Sequence, residues 1–330
     1  MSTQPQQLAP LEGLHHVTCI TGDARTNVDF YTRVLGQRLV KKTVNQDDPG
    51  VYHLFYGDEE GAPGHDLTFF EYPGAPRGQA GAGMVHTVAF RVASPAALDF
   101  WEERLRAEGR QPRRAAAAAD DAPDAGALIV EDPEGLTLEL RVEDVPDAPL
   151  VAHADDIPAD VALLGFAGVR AYAARPEQSV PLLQRVLGFG ERSDGAGGPR
   201  ATAIEARGAQ RGGWIAYEPA PAGVEARPGA GTVHHVAWAI ALDSEGAWDA
   251  HVRGAGAQTS GVVDRFYFRS VYFPEPSGVL FELATIGPGF GVDEDPAHLG
   301  EKVALPPFLE PLRARIEAEL TPLEGVGRQR

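Results

Sequence analysis

Two segments more than 200 residues apart are near copies: Gly13-Leu14-His15-His16-Val17-Thr18 and Gly231-Thr232-Val233-His234-His235-Val236. Each sets a His pair in an alternating apolar run, the pattern of a half-buried strand. Side chains alternate across a strand, so each pair sends one imidazole to each face. Two such strands in one U-shaped sheet bring two imidazoles together in its interior. Gly278-Val279-Leu280-Phe281-Glu282-Leu283 adds a carboxylate in an apolar strand, where a charge is rarely buried alone. His16, His235 and Glu282 then make the two-imidazole, one-carboxylate facial set that holds non-haem Fe(II) and leaves coordination positions open.

The copies belong to a longer repeat. His16 and Gly36 correspond, 152 residues later, to Gly168 and Gly188, and the two glycines end Arg33-Val34-Leu35-Gly36 and Arg185-Val186-Leu187-Gly188. Val28, Tyr31 and Leu35 share a helical face before the first glycine, which suits a helix C′ position. Val85-His86-Thr87-Val88-Ala89-Phe90 matches residues 233–238, and a helix follows each, opened by Ser94-Pro95 and by Asp243. Asp132-Pro133-Glu134-Gly135 and Glu275-Pro276-Ser277-Gly278 are matching turns before Leu138-Glu139-Leu140 and Phe281-Glu282-Leu283.

Four units therefore run in the order A, B, A′, B′. The predicted fold class is α+β: four βαβββ modules in two tandem domains, each a U-shaped mixed β-sheet enclosing a cleft, plus a C-terminal helical tail. The boundaries are 11–145 for A and B, 146–162 for a Pro/Asp/Ala linker, 163–288 for A′ and B′, and 289–330 for the tail. Residues 115–125 read as an Ala/Asp loop within B. A tail helix is expected from Pro306 to about Leu320, with Leu309, Leu312, Ile316 and Leu320 on one inward stripe.

The repeat is also an internal control. Gly168 stands where His16 does, Thr87 where His235 does, and Glu139 where Glu282 does. One of two potential sites has lost its imidazoles, so one ion is predicted, between A and B′. By parity His15 and His234 point away from it unless the strand twists. Glu71 is a candidate fourth ligand by spacing alone, His53 is a wall or core residue, and Cys19 is a small buried filler.

A net charge of −18 disfavours nucleic acid and anionic membranes as partners. No apolar run approaches a membrane span, and residues 1–10 lack signal-peptide features. With a single cysteine, the expectation is a cytoplasmic protein, its homo-oligomeric state left open.

In these motifs, and in Val40-Lys41-Lys42-Thr43-Val44-Asn45, Tyr52-His53-Leu54-Phe55-Tyr56-Gly57-Asp58 and Leu305-Pro306-Pro307-Phe308-Leu309-Glu310, the chain resembles the vicinal oxygen chelate superfamily. That superfamily includes glyoxalase I, bleomycin-resistance proteins and extradiol dioxygenases. The chain looks most like its two-domain ring-cleaving dioxygenases that open hydroquinones. The resemblance implies Fe(II), with Mn(II) as a substitute, held by His16, His235 and Glu282. It implies catalytic roles for His15, His234, Tyr272 and Arg265, a substrate-binding role for Thr18, and no ligand role for Glu71. The implied reaction is Fe(II)-dependent, extradiol-type cleavage of a hydroquinone-type aromatic by O2. Two alternatives share the fold. A glyoxalase-like isomerase or thiol transferase uses Zn(II) or Ni(II) and no oxygen, and a metal-free sequestration protein lacks the triad.

Overall fold

A computed structural model describes residues 8–115, 126–192 and 202–327, so residues 116–125 of the Ala/Asp loop lie outside the described residues. Module A comprises β1 (Leu14–Thr21), α1 (Ala24–Val28) with a π-helical continuation to Val34, β2 (Arg38–Asn45), β3 (Asp48–Gly57) and β4 (Asp66–Glu71). Module B comprises β5 (Met84–Val92), α2 (Pro95–Ala107), β6 (Arg113–Ala115), β7 (Ala127–Glu131) and β8 (Thr137–Val142). Module A′ comprises β9 (Phe166–Ala173), α3 (Val180–Arg185), β10 (Gly190–Glu191), β11 (Thr202–Arg207) and β12 (Gly212–Pro219). Module B′ comprises β13 (Val233–Ile240), α4 (Glu245–Gly254), β14 (Val262–Asp264), β15 (Phe268–Pro274) and β16 (Leu280–Pro288).

Each module is βαβββ, and in each the first strand pairs in parallel with the last. Local signals work as read: Ser94 caps α2 by accepting from the Ala97 N–H, and Gly36 and Gly188 have φ of +72° and +75°. The last helix signal shifts by a residue, because Asp243 takes φ +62° and α4 starts after Ser244.

The modules pair across the sequence halves. β1 runs antiparallel to β13, and β5 to β9. One eight-stranded mixed sheet has the order β14-β15-β16-β13-β1-β4-β3-β2, and the other β10-β11-β12-β9-β5-β8-β7-β6. Each cleft is thus built from A with B′ or from B with A′, and a division of the chain at 146–162 cuts through both sheets. The cause is the free edge of each first strand, whose N–H and C=O groups need partners once the module's own last strand has taken the other edge. Sequence neighbours instead join through helices and turns. Tyr31 donates to Asp132 at 3.0 Å, and Arg104 on α2 donates to the carbonyls of Arg33 and Val34, both at 2.7 Å. Cys19 is buried in this core, where burial and then the nearby Asp132 push its thiol up.

The tail covers the long edge strand β2. Val303 bridges to Lys42, and the Ala304 N–H donates to the Lys42 carbonyl at 2.9 Å. Lys41 is fully buried and ion-pairs with Asp293 at 2.8 Å and with Glu294. Its Nζ also lies 4.6 Å from the Tyr267 ring centroid. The expected tail helix is shorter, with a 3-10 turn at Glu310–Leu312 leading into α5 (Arg313–Glu319). The tighter turn changes the phase of the stripe. Leu309, Ile316 and Leu320 face inward, but Leu312 is 46% exposed.

Lys41→Met leaves Asp293 and Glu294 facing each other without a cation. Both acids keep contact with solvent, which screens their repulsion, so the loss should be smaller than the roughly 3–5 kcal/mol of a fully buried pair. The expected result is a lower denaturation midpoint and faster proteolysis within 289–305. An unchanged midpoint removes this cluster as the anchor of the tail.

Candidate metal centre

The centre lies on the seam between β1 and β13. His16 pairs with Ala237 and Thr18 with His235, while the register shifts between Leu14 and His16 and between Thr18 and Cys19. His15 and His234 are therefore the extra residues of two β-bulges, which re-aim side chains. This overturns the parity expectation. Instead of facing away, His15 Nδ1 lies 2.9 Å from His16 Nδ1, and His234 Nδ1 lies 2.8 Å from His235 Nδ1.

The contacts of His15 fix the tautomers of the first pair. His15 Nε2 is 3.1 Å from the Thr285 carbonyl oxygen, which only accepts. Nε2 therefore carries the His15 proton, His15 Nδ1 accepts from His16 Nδ1–H, and His16 Nε2 keeps a bare lone pair. His234 Nδ1 and His235 Nδ1 also share one proton at 2.8 Å, and where His235 donates it, His235 Nε2 is bare as well.

His16 Nε2, His235 Nε2 and Glu282 Oε2 form a buried triangle. Its sides are 3.3 Å between the nitrogens, 3.1 Å from His16 to Glu282 and 3.0 Å from His235 to Glu282. Ser270 Oγ donates to Glu282 Oε1 at 2.5 Å, whereas Oε2 has, among the described residues, only the two imidazole nitrogens beside it. Burial raises the Glu282 pKa, but the paired imidazoles outweigh it and hold the carboxyl well below its usual range. Glu282 is thus an anion, and its triangle needs a positive charge, either a proton on an imidazole or a metal ion in its place. Bonds of about 2.1 Å at right angles put ligand atoms about 3.0 Å apart, so the triangle has the size of a facial ligand set.

The triangle opens on a cavity of about 260 Å³ walled by Phe55, Phe70, Phe268 and Leu280. Phe268 lies 5.2 Å from both His15 and His16, ring to ring. At the mouth Arg265 pairs with Asp47 at 2.9 Å and donates through Nε to the Tyr272 hydroxyl at 3.3 Å. Burial, with the Glu282 charge, pushes the Tyr272 hydroxyl up, so it stays protonated.

The structure brings His16, His235 and Glu282 together and sets His234, Arg265 and Tyr272 on the cavity wall. His15 and Thr18 are buried, His15 holding His16 and Thr18 accepting from Thr68 at 2.8 Å. Burial, then His16, pushes His15 down to about 3, which suits a positioning group better than a proton carrier. Glu71 accepts from the Ala24 N–H at 3.0 Å and from Thr321 at 2.8 Å, so it ties α1 to the tail and joins no ligand cluster. Sequence reasoning missed Ser270 and the Thr285 carbonyl. Ser270 sits two residues before Tyr272 and so shares its face, a signal that was available.

The second cleft is filled. A side chain at Gly168 would run into the Trp214 ring. Glu139 accepts from Arg170 at 2.6 and 3.1 Å and from Arg141 at 2.8 Å, so guanidinium groups neutralise it. Metal analysis should therefore find one ion per chain. His16→Ala and Glu282→Ala should each lose it, while Glu139→Gln should keep it. Two ions per chain, or an ion lost in Glu139→Gln, would sink this assignment.

Residues 13–140 match the family model described as Glyoxalase/Bleomycin resistance protein/Dioxygenase superfamily. The chain is 39% identical over 321 residues to MhqA of Bacillus subtilis (strain 168), which bears the provisional name ring-cleaving dioxygenase, with 95% of this chain and 99% of that protein covered. It is 33% identical over 312 residues to the chlorohydroquinone/hydroquinone 1,2-dioxygenase of Sphingobium indicum, covering 91% and 93%. The crystal structure of a provisionally named dioxygenase from Bacillus subtilis superposes with a TM-score of 0.88 at 35% identity, covering 97% of this chain and all of that one. With its paired βαβββ modules and these relatives, the chain belongs to the glyoxalase/bleomycin resistance protein/dioxygenase superfamily.

Proposed function

We propose that this protein is an Fe(II)-dependent, extradiol-type ring-cleaving dioxygenase acting on hydroquinones, with Mn(II) as a substitute ion. The observation that carries the reading is a facial set of His16, His235 and Glu282 opening on an aromatic-walled cavity sized for a small ring. The names of the relatives support ring cleavage and, in one case, hydroquinone as substrate. The glyoxalase-like reading is weaker because, among the described residues, no second carboxylate joins the cluster.

A ferrous ion in this set supplies a Lewis acid for the phenol and an electron path to O2. The chain's residues do the rest. With a single carboxylate they leave a divalent ion one net positive charge, which favours a phenolate. His234 lines the cavity, and burial pushes it down to about 4, so it is a neutral imidazole able to hydrogen-bond the substrate. The protonated Tyr272 hydroxyl and the Arg265 guanidinium face the same space and hold a developing anion. Substrate and O2 are the partners of this reading, with a cytoplasmic location. Among the described residues no helix is long and apolar enough to cross a membrane.

An oxygen electrode tests the proposal. Anaerobically Fe(II)-loaded protein given methylhydroquinone should consume O2, fade in air and recover with ascorbate and ferrous salt. Turnover with Zn(II) under argon would replace it with the isomerase reading. Arg265→Ala should lower turnover more than iron content, because a guanidinium binds anions and not metals. Tyr272→Phe should lower kcat by about 100-fold if its hydroxyl moves or stabilises a proton. Wild-type rates with several hydroquinones would make it a bystander.

A further inference from the structure

His53 is a polar side chain in an otherwise aromatic stretch of wall. Its ring centroid lies 4.0 Å from that of Phe55 and 4.3 Å from that of Phe70, and all three line the cavity. His53 sits deep in the protein yet keeps accessible surface, and the cavity accounts for it. Its Nε2 is 3.0 Å from Thr68 Oγ1, and Thr68 Oγ1 donates to Thr18 Oγ1 at 2.8 Å.

That ladder fixes the tautomer. Thr68 has one hydroxyl proton and spends it on Thr18, so toward His53 it only accepts. His53 therefore carries its proton on Nε2, and Nδ1 is a bare acceptor. Among the described residues Nδ1 has no hydrogen-bond partner. Burial, then the nearby His16 and His235, keeps His53 well below its usual pKa, so at neutral pH it does not turn into a donor.

The placement suits the far side of a bound ring. His53 is on β3 and His16 on β1, with β4 between them. His53 is level with Phe70 and Ile20, whereas His16 is level with Asp66, so the two are set apart along the strands as well as across them, yet both line one cavity. A ring held with one oxygen at the triangle has its far side turned to the wall that carries His53, Phe55 and Phe70.

We propose that His53 selects the reduced form of the substrate: its Nδ1 accepts a hydrogen bond from the ring hydroxyl remote from the metal centre. The inference rests on the hydroquinone reading and sharpens it. A hydroquinone presents a donor there. A quinone carbonyl or an aryl ether presents a second acceptor, and two buried acceptors face each other unpaired. The site would thus admit the substrate and refuse its two-electron oxidation product.

Anaerobic titration of the Fe(II) holoenzyme with hydroquinone, 4-methoxyphenol and phenol, followed by intrinsic fluorescence, tests this. The wild type should bind hydroquinone about tenfold or more tightly than 4-methoxyphenol, since sites built to bind a hydroxyl discriminate strongly against analogues lacking it. His53→Leu should shrink that ratio to about twofold or less, with iron content and phenol binding unchanged. If His53→Leu fails to fold, Thr68→Val decides, because it frees the tautomer and should also reduce the ratio. An undiminished ratio in the decisive variant, or no preference in the wild type, overturns the inference. O2 uptake is read separately: its absence with every hydroquinone overturns the dioxygenase reading and leaves the binding preference measurable.

Discussion

The antiparallel seam between β1 and β13 carries the centre of this molecule. It joins His16 to His235 across 219 residues of sequence, and β13 in turn carries β16 and Glu282 on its other edge. No ligand set exists until the first and last modules have met. Such long-range pairing incurs its loop-closure entropy before its contacts form. An ion bound across the seam adds its binding free energy to that closure, because the unfolded chain has no comparable site. The tail acts in the same direction. It lies along β2, and its Asp293 also accepts from the hydroxyl of Tyr267, a residue of the cavity wall.

The two sheets answer one electrostatic problem in two ways. Each buries a glutamate on the last strand of its B-type module, Glu282 on β16 of B′ and Glu139 on β8 of B. Around Glu139 the positive charge is covalent to the chain. Arg170 occupies the register position that Thr18 has in the other sheet, and its guanidinium also lies 5.4 Å from the Trp214 ring. Around Glu282, among the described residues, no guanidinium bonds the carboxylate, and its partners are two imidazoles and Ser270. A carboxylate left without an internal cation is what marks this sheet, and not the other, as the candidate to take an ion.

Much of this was legible in the sequence, because it rests on local signals that the chain repeats. The four modules follow from His16 and Gly36 recurring as Gly168 and Gly188, and the decayed cleft follows from Thr87 and Gly168. What was not legible depends on pairing. A bulge adds one residue without changing the apolar alternation, so parity misplaced His15 and His234. Glu71 looked available because its side was unknown. Once β4 is in register with β1, Thr68 pairs with Thr18 beneath the cavity, and Glu71, three residues on, has the opposite parity. In the tail, the 3-10 turn before α5 put Leu312 outside a stripe drawn for an ideal helix.

The bulges also explain why histidines come in pairs. A lone imidazole on β1 would have a free Nδ1 and two tautomers, only one of which leaves Nε2 open to an ion. His15 removes that choice. It accepts from His16 and donates to the carbonyl of Thr285 on β16, three residues beyond Glu282. The link spans β13, which lies between β1 and β16, and so couples the orientation of one ligand to the strand that carries another. Outer partners of this kind set ligand geometry and basicity, and losing one typically weakens metal binding about 10–100-fold. On this account His15 matters to the centre without touching substrate or ion, and the doubled histidine is a ligand together with the residue that holds its proton in place.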